Sequence, residues 1–368
     1  MLELPDFPWD SLAASADVAR RHPHGIVDLS VGSPVDATPA VIRDAVLSAT
    51  DAHAYPLTAG APAVRQAIAG WFERRRGVVG LSANQTLPTI GSKEFVAGLP
   101  LWLGLGSDDV VVHPRIAYPT YAIGAAVVGA QTVASDDPAE WPAGTTLIWL
   151  NSPGNPDGRV LSTDGLRVAV RRARELGAVI ASDECYAELA WEPPWAGAPT
   201  PSILDPAVVG SDHSGVLAVC SLSKQSNLAG YRAGFVAGGR DLVDGLLAVR
   251  KHLGLIPPTP VQAAMIAALD DDGHVSAQRE VYRARRSVLR EGLTSAGFRI
   301  DHSEAGLYLW ATAGEESSVT ISRLADLGML AAPGSFYGEA GTRHVRFALT
   351  ATDERIAEAA RRLAGWRD

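Results

Sequence analysis

Short apolar, β-branched runs recur along the chain, most of them separated by stretches in which apolar positions return every three or four residues. They are QTLPTIG from Gln85, DVVVHP from Asp109, TTLIWLNSP from Thr145, GAVIASDE from Gly177, GVLAVCSLS from Gly215 and RAGFVAGG from Arg232. Being apolar on both faces, they predict strands covered on both sides, in a mainly parallel sheet. The patterns APAVRQAIAGWFERRR from Ala61 and TDGLRVAVRRARELG from Thr163 predict crossover helices, which makes the fold class α/β. The pattern changes in the last hundred residues. A long charged helix pattern from His274 to Ala296 leads to short strand signals, FRID, GLYLWAT and HVRFALT. This predicts a large α/β domain over residues 45–270 and a smaller α+β domain built from residues 1–44 and 271–368.

Composition narrows the partners. A net charge of −9 and a pI near 5.5 argue against nucleic acid or an anionic membrane, both of which reward a basic surface. Arg74, Arg75 and Arg76, like Arg171 and Arg172, fall at helical spacing and read as solvated helix faces. The uncharged run from Ile116 to Ser135 contains Pro119, Gly124 and Gly129, so it reads as loop, helix and strand rather than a membrane span. The start, MLELPDFPWD, is acidic and broken by prolines, unlike a signal peptide. The only cysteines, Cys185 and Cys220, fall in strand-like segments and read as buried thiols of a reducing cytoplasm. No metal is expected.

In open α/β sheets ligands gather at the carboxyl ends of the strands, so the residues there are the candidates for chemistry. One strand ends in Gly91-Ser92-Lys93, another in HPRIAYPTY, another in NSPGNPDG, another in Asp183-Glu184-Cys185-Tyr186 and another in Ser221-Leu222-Ser223-Lys224. Singly, each has a plain structural role: a helix cap, a turn, a packed aromatic, or, for Lys224, a loop amine in water. Lys224 has a second reading, an amine in a partly desolvated pocket, where its pKa falls and it can attack a carbonyl. Five such strand ends in this order favour the second reading.

The set resembles the class I/II aminotransferases, the fold-type I enzymes that use pyridoxal 5′-phosphate (PLP). The resemblance runs from DLSVGSPVDATP through YPLTAGAPAVRQAIAGWF, GSKE, AYPTY, NSPGNPDG and SDECYAEL to VRFALT, and SLSKQSNLAGYRAG is its most specific segment. It implies that Lys224 is the Schiff-base lysine and proton carrier. It further implies that Gly91, Ser92, Lys93, Ser221, Ser223 and Arg232 hold the phosphate, and that Asp183 faces the ring nitrogen. Asn155 and Tyr186 would meet the ring oxygen, and Tyr118 would stack on the ring. Arg346, with the backbone at Gly32, would bind the substrate α-carboxylate. Tyr55 matches a tyrosine that crosses to the partner's cofactor phosphate, which implies a homodimer. The chain departs from the family turn at Asp157, where threonine is usual, and at Lys93, where many relatives are neutral.

A narrower resemblance, carried by LPDFPWDSL, HPHGIVDLSVGSPVDATP, LPTIGSKE and VVHPRIAYPTY, is to succinyldiaminopimelate transaminases of the actinobacterial type. It implies transfer from glutamate to N-succinyl-2-amino-6-oxopimelate, giving N-succinyl-LL-2,6-diaminopimelate and 2-oxoglutarate. Such a substrate is anionic at both ends, so Lys93 and Arg115 are candidates for the distal carboxylate. Transamination of aromatic or other acidic amino acids, or a carbon–sulfur β-lyase activity, would use the same cofactor motifs.

Overall fold

The computed structural model describes residues 4–197 and 199–367; residues 1–3 of the expected 1–44 segment lie outside them. Seven strands form one sheet in the order Thr86–Ile90, Ala233–Gly238, Val216–Ser221, Val179–Asp183, Thr145–Asn151, Val110–His113 and Gln131–Ala134. Six are the apolar runs, and the seventh is the strand expected at the end of the uncharged run. The last five are mutually parallel. Ala233–Gly238 runs antiparallel to both neighbours, because the segment 222–232 before it is too short to hold a crossover helix.

Apolar side chains cover both faces. Trp71, Phe72 and Phe235 pack edge to face on one side, while Phe95, Tyr121 and Trp149 lie in the core on the other. Helix Pro62–Arg76 supplies Val64, Ile68, Trp71 and Phe72 to the first core and stops at Gly77, which adopts φ 67°.

The arginine cluster at the end of that helix differs from its expected solvated state. Arg76 is buried, with a guanidinium nitrogen 3.0 Å from Glu184, and Arg75 lies 2.5 Å from Glu188. The last turn of the helix abuts the segment after strand Val179–Asp183, and two carboxylates desolvated there require cations. Arg171 is exposed, and the half-buried Arg172 donates to the Trp141 carbonyl at 3.1 Å. Cys185 and Cys220 are buried free thiols.

A second, antiparallel sheet has the order Ala332–Pro333, Val345–Ala348, Tyr308–Thr312 and Arg299–Ile300. Its register sets Trp310 opposite Arg346. Helix Asp272–Ser295 packs along Asp353–Leu363, and the short strand Val27–Asp28 runs parallel to Met329–Leu330. One core therefore combines Leu12, Val27 and Leu29 from the start of the chain with Leu289, Leu309 and Phe347 from its end. The N-terminal segment, with the short helix Pro8–Leu12, thereby carries Phe7 and Trp9 to the cleft described below. Among the described residues no helix is long and apolar enough to cross a membrane.

Candidate active site

At the carboxyl ends of the large sheet's parallel strands lies a cleft of about 410 Å³. Every site residue expected from the sequence lines it except Gly91, Tyr55 and Arg115. Gly91 opens helix Gly91–Trp102 with φ +71°, and a Cβ there would sit 2.4 Å from the Arg232 guanidinium. Glycine therefore lets Arg232 close against the first, unpaired amides of that helix, an arrangement made for an anion. Arg232 itself has φ 55° and donates to the Ala229 carbonyl at 2.9 Å. Ser221 and Ser223 complete this end of the cleft, their hydroxyl oxygens 2.9 Å apart. Tyr55 stays outside its own chain's cleft, 98% exposed.

Lys224 follows strand Val216–Ser221, and its Nζ donates to the Gly32 carbonyl at 2.5 Å. Burial holds its pKa below the ordinary lysine value, which favours the neutral, nucleophilic amine. Gly32 has to be glycine, because a Cβ would lie 2.2 Å from the Tyr308 hydroxyl. Asp183 ends strand Val179–Asp183 and is buried; desolvation raises its pKa, and no ion pair reaches it among the described residues. Its Oδ1 accepts the Cys185 N–H at 3.2 Å and its Oδ2 accepts the Tyr121 hydroxyl at 2.9 Å.

On the opposite wall Arg346 is 3% exposed. Its Nη1 donates to Asn155 Oδ1 at 3.0 Å and its Nη2 to the Ser30 carbonyl at 2.6 Å, while Nε is buried without a partner. The guanidinium lies 3.9 Å from the centre of the Tyr308 ring. The Tyr308 hydroxyl is 3.1 Å from that of Tyr186, whose pKa burial pushes well above the usual phenol value. The turn bearing Asn155 is pinned by Asn151, whose Oδ1 accepts the Asn155 N–H at 2.7 Å and whose Nδ2 donates to the Asp183 carbonyl at 2.9 Å. Asp157 faces its own turn, accepting the Arg159 N–H at 3.2 Å.

Sequence reasoning missed Asn151, Cys185, Tyr121, Tyr308, Phe7 and Trp9. Tyr121 lies within AYPTY and Tyr308 within GLYLWAT, but only the tertiary pairing aims them at the site. Phe7 and Trp9 also border a second, mostly apolar cavity of about 740 Å³ that adjoins the cleft. Lys93 and Tyr118 belong to both spaces, and Arg115, Ile123 and Phe336 to the second alone. The Lys93 ammonium stands 5.3 Å from the Phe7 ring centre. Neither Lys93 nor Arg115 forms an ion pair among the described residues, and both are exposed.

The family model for aminotransferase class I and II matches residues 24–363. The chain belongs to that family. It is a PLP-dependent transaminase of fold type I. It is 54% identical to the 4-dedimethylamino-4-oxo-anhydrotetracycline transaminase OxyQ of Streptomyces rimosus, over 99% of this chain and 100% of that one. It is 52% identical to Rv1178 of Mycobacterium tuberculosis, named a probable aminotransferase, over 98% of this chain and 85% of the other. Among solved structures, the N-succinyldiaminopimelate aminotransferase of Mycobacterium tuberculosis aligns at TM-score 0.86 and 27% identity, covering 97% of each chain.

The donor set fits PLP. The Gly91–Arg232 cradle suits a phosphate dianion. The buried, uncompensated carboxylate of Asp183 suits a protonated ring nitrogen. Lys224 supplies a half-buried amine of lowered pKa to the same cleft.

Proposed function

We propose that this transaminase carries amino groups between glutamate and N-succinyl-2-amino-6-oxopimelate, giving N-succinyl-LL-2,6-diaminopimelate and 2-oxoglutarate. When bound, PLP supplies an aldehyde that condenses with amines and a ring that spreads negative charge from the substrate Cα. The helix amides at Ser92 and Lys93, with Ser221, Ser223 and Arg232, hold the phosphate. Asp183 keeps the ring nitrogen protonated, Tyr118 covers the ring, and Tyr186 and the amide N–H₂ of Asn155 meet the ring oxygen. Lys224, its pKa lowered by desolvation, takes the proton from the substrate Cα and returns it on the other side of the reaction. Arg346 and the backbone at Gly32 receive the α-carboxylate. This reading divides the chain as expected from the sequence, at residues 45 and 270, with the α-carboxylate site formed between the two parts.

The observation that carries the substrate proposal is the adjoining cavity. Its volume of about 740 Å³ accommodates an acylated chain, and Lys93 stands where the two spaces meet, with Arg115 beyond it as a second cation for the distal carboxylates. The alignment with the N-succinyldiaminopimelate aminotransferase supports the same reading. The apolar walls at Phe7, Trp9, Ile123 and Phe336, together with the higher identity to OxyQ, favour a second reading in which the acceptor is a large apolar ketone.

The two are separated by kcat/KM for the succinylated acceptor against 4-dedimethylamino-4-oxo-anhydrotetracycline, phenylpyruvate and oxaloacetate. The succinylated acceptor is expected to win, and Lys93→Ala to cost it far more than it costs glutamate. Preference for the ring ketone would overturn the first reading, and equal rates for all four acceptors would overturn both. Ile123→Trp, which fills the cavity, is expected to lower kcat/KM for either large acceptor by about tenfold or more, with glutamate unchanged.

The proposal includes a homodimer in which Tyr55 of each chain reaches the partner's phosphate site. Its nearly complete exposure, and that of Leu57 at 61%, support this. Light scattering at micromolar concentration should return twice the 38.7 kDa chain mass; a fully active monomer would refute it.

A further inference from the structure

We propose that Tyr121 is a positioning residue that fixes the carboxylate of Asp183 toward the ring nitrogen of PLP and keeps it acting as an acceptor. The proposal rests on the reading of the cleft given above. Tyr121 is fully buried, and among the described residues its hydroxyl has no partner other than Asp183 Oδ2, at 2.9 Å.

The ring is clamped on two sides. Trp149, from the neighbouring strand Thr145–Asn151, stacks on it with centroids 5.1 Å apart and planes 22° from parallel. Tyr118 meets it edge-on at 6.0 Å and 84°. Both tyrosines stand at the start of helix Thr120–Val128, three residues apart and therefore on one side of that turn. One side chain thus ties the residue facing the ring nitrogen to the residue covering the ring plane. Asp183 cannot rotate without breaking the bond to Tyr121, and Tyr121 cannot shift without disturbing Tyr118.

The direction of the bond matters as much as its geometry. Burial pushes the Tyr121 phenol well above its usual pKa, so this hydroxyl remains protonated throughout the working pH range. Beside an ionised carboxylate it can only donate. The hydroxyl thereby offsets the burial that would otherwise favour a neutral Asp183, and the Cys185 N–H on Oδ1 does the same from the other side. A neutral Asp183 would have no charge with which to hold a protonated ring nitrogen. Removing the Tyr121 hydroxyl leaves the ring packing largely in place and deletes only this bias.

The test is the affinity of the apoprotein for PLP, measured by equilibrium dialysis in the wild type, Tyr121→Phe, Asp183→Asn and the double variant. Tyr121→Phe is expected to bind PLP roughly tenfold more weakly, in line with the loss of one hydrogen bond to a charged group. It should also lower kcat while leaving KM for glutamate within about twofold. In the Asp183→Asn background the same change should have almost no further effect on PLP affinity. Tyr121→Phe binding PLP as the wild type does, with only its thermal midpoint lowered, would overturn the proposal. So would a tenfold loss that persists undiminished in Asp183→Asn. Failure of the wild-type chain itself to bind PLP would instead overturn the reading of the cleft.

Discussion

Lys224→Ala is expected to lower transamination between glutamate and any accepted keto acid by roughly 10²–10⁴-fold or more, the range associated with loss of a positioned general base. The argument rests on placement and chemistry together. Lys224 is the half-buried amine of the cleft, its pKa is depressed by desolvation, and it lines the same space as Asp183, Arg232 and Arg346. The chain contains only three lysines, Lys93, Lys224 and Lys251, so the outcome can be assigned without ambiguity. Lys251 is exposed in the last turn of helix Arg240–Leu253, and Lys251→Ala should behave as the wild type. The Lys224→Ala protein should still take up PLP, because the phosphate contacts do not involve the Lys224 side chain. After borohydride treatment and denaturation the wild type should retain the cofactor on the peptide carrying Lys224, and the variant should release it. Full turnover by Lys224→Ala would remove this residue from the reaction.

Much of this site could be read from the sequence because its parts are local. GSK, NSPGN, SDECY and SLSK are each a strand end plus the turn that follows, and a single chain segment carries each set of donors. The same locality made the six apolar runs of the large sheet legible. What escaped depends on contacts between distant segments. Tyr121 and Asp183 are 62 positions apart and meet only because strand Thr145–Asn151 sits beside Val179–Asp183 and brings Trp149 under the tyrosine ring. Tyr308 comes to Arg346 through the register of two strands in the second sheet, each recognisable alone but not as a pair.

Arg76 shows the opposite error. A run of three arginines in a helix reads as a solvated face unless a partner is known, and its partner Glu184 lies 108 positions away, inside a segment singled out for other reasons. The reversed strand Ala233–Gly238 was within reach, since the short segment 222–232 leaves no room for a parallel crossover. Phe7 and Trp9 also belonged to a quoted segment. Their place at the doorway between the cleft and the apolar cavity follows from the shared core that ties the N-terminal segment to the end of the chain.

Arg346→Lys is expected to reduce kcat/KM for glutamate by about 2–5 kcal/mol, roughly 30- to 4,000-fold, the cost of breaking a desolvated, hydrogen-bonded charge pair. Lysine keeps the charge but loses the planar fork, and the fork is what the surroundings have prepared. One nitrogen fixes Asn155, another is anchored on the Ser30 carbonyl, and Nε is left buried with hydrogen-bonding capacity unused. Tyr308 beneath the guanidinium favours a flat cation over a compact ammonium. The loss should appear mainly as a higher KM for every α-carboxylate substrate in both directions of the reaction. PLP affinity should change much less, since the phosphate cradle lies on the other side of the cleft. An amine lacking the carboxylate provides the decisive control: neither protein can use the fork on it, so the two should process it equally slowly. An Arg346→Lys protein that discriminates glutamate from that amine as well as the wild type does would place the α-carboxylate elsewhere, with Lys93, at the start of helix Gly91–Trp102, the next cation to examine.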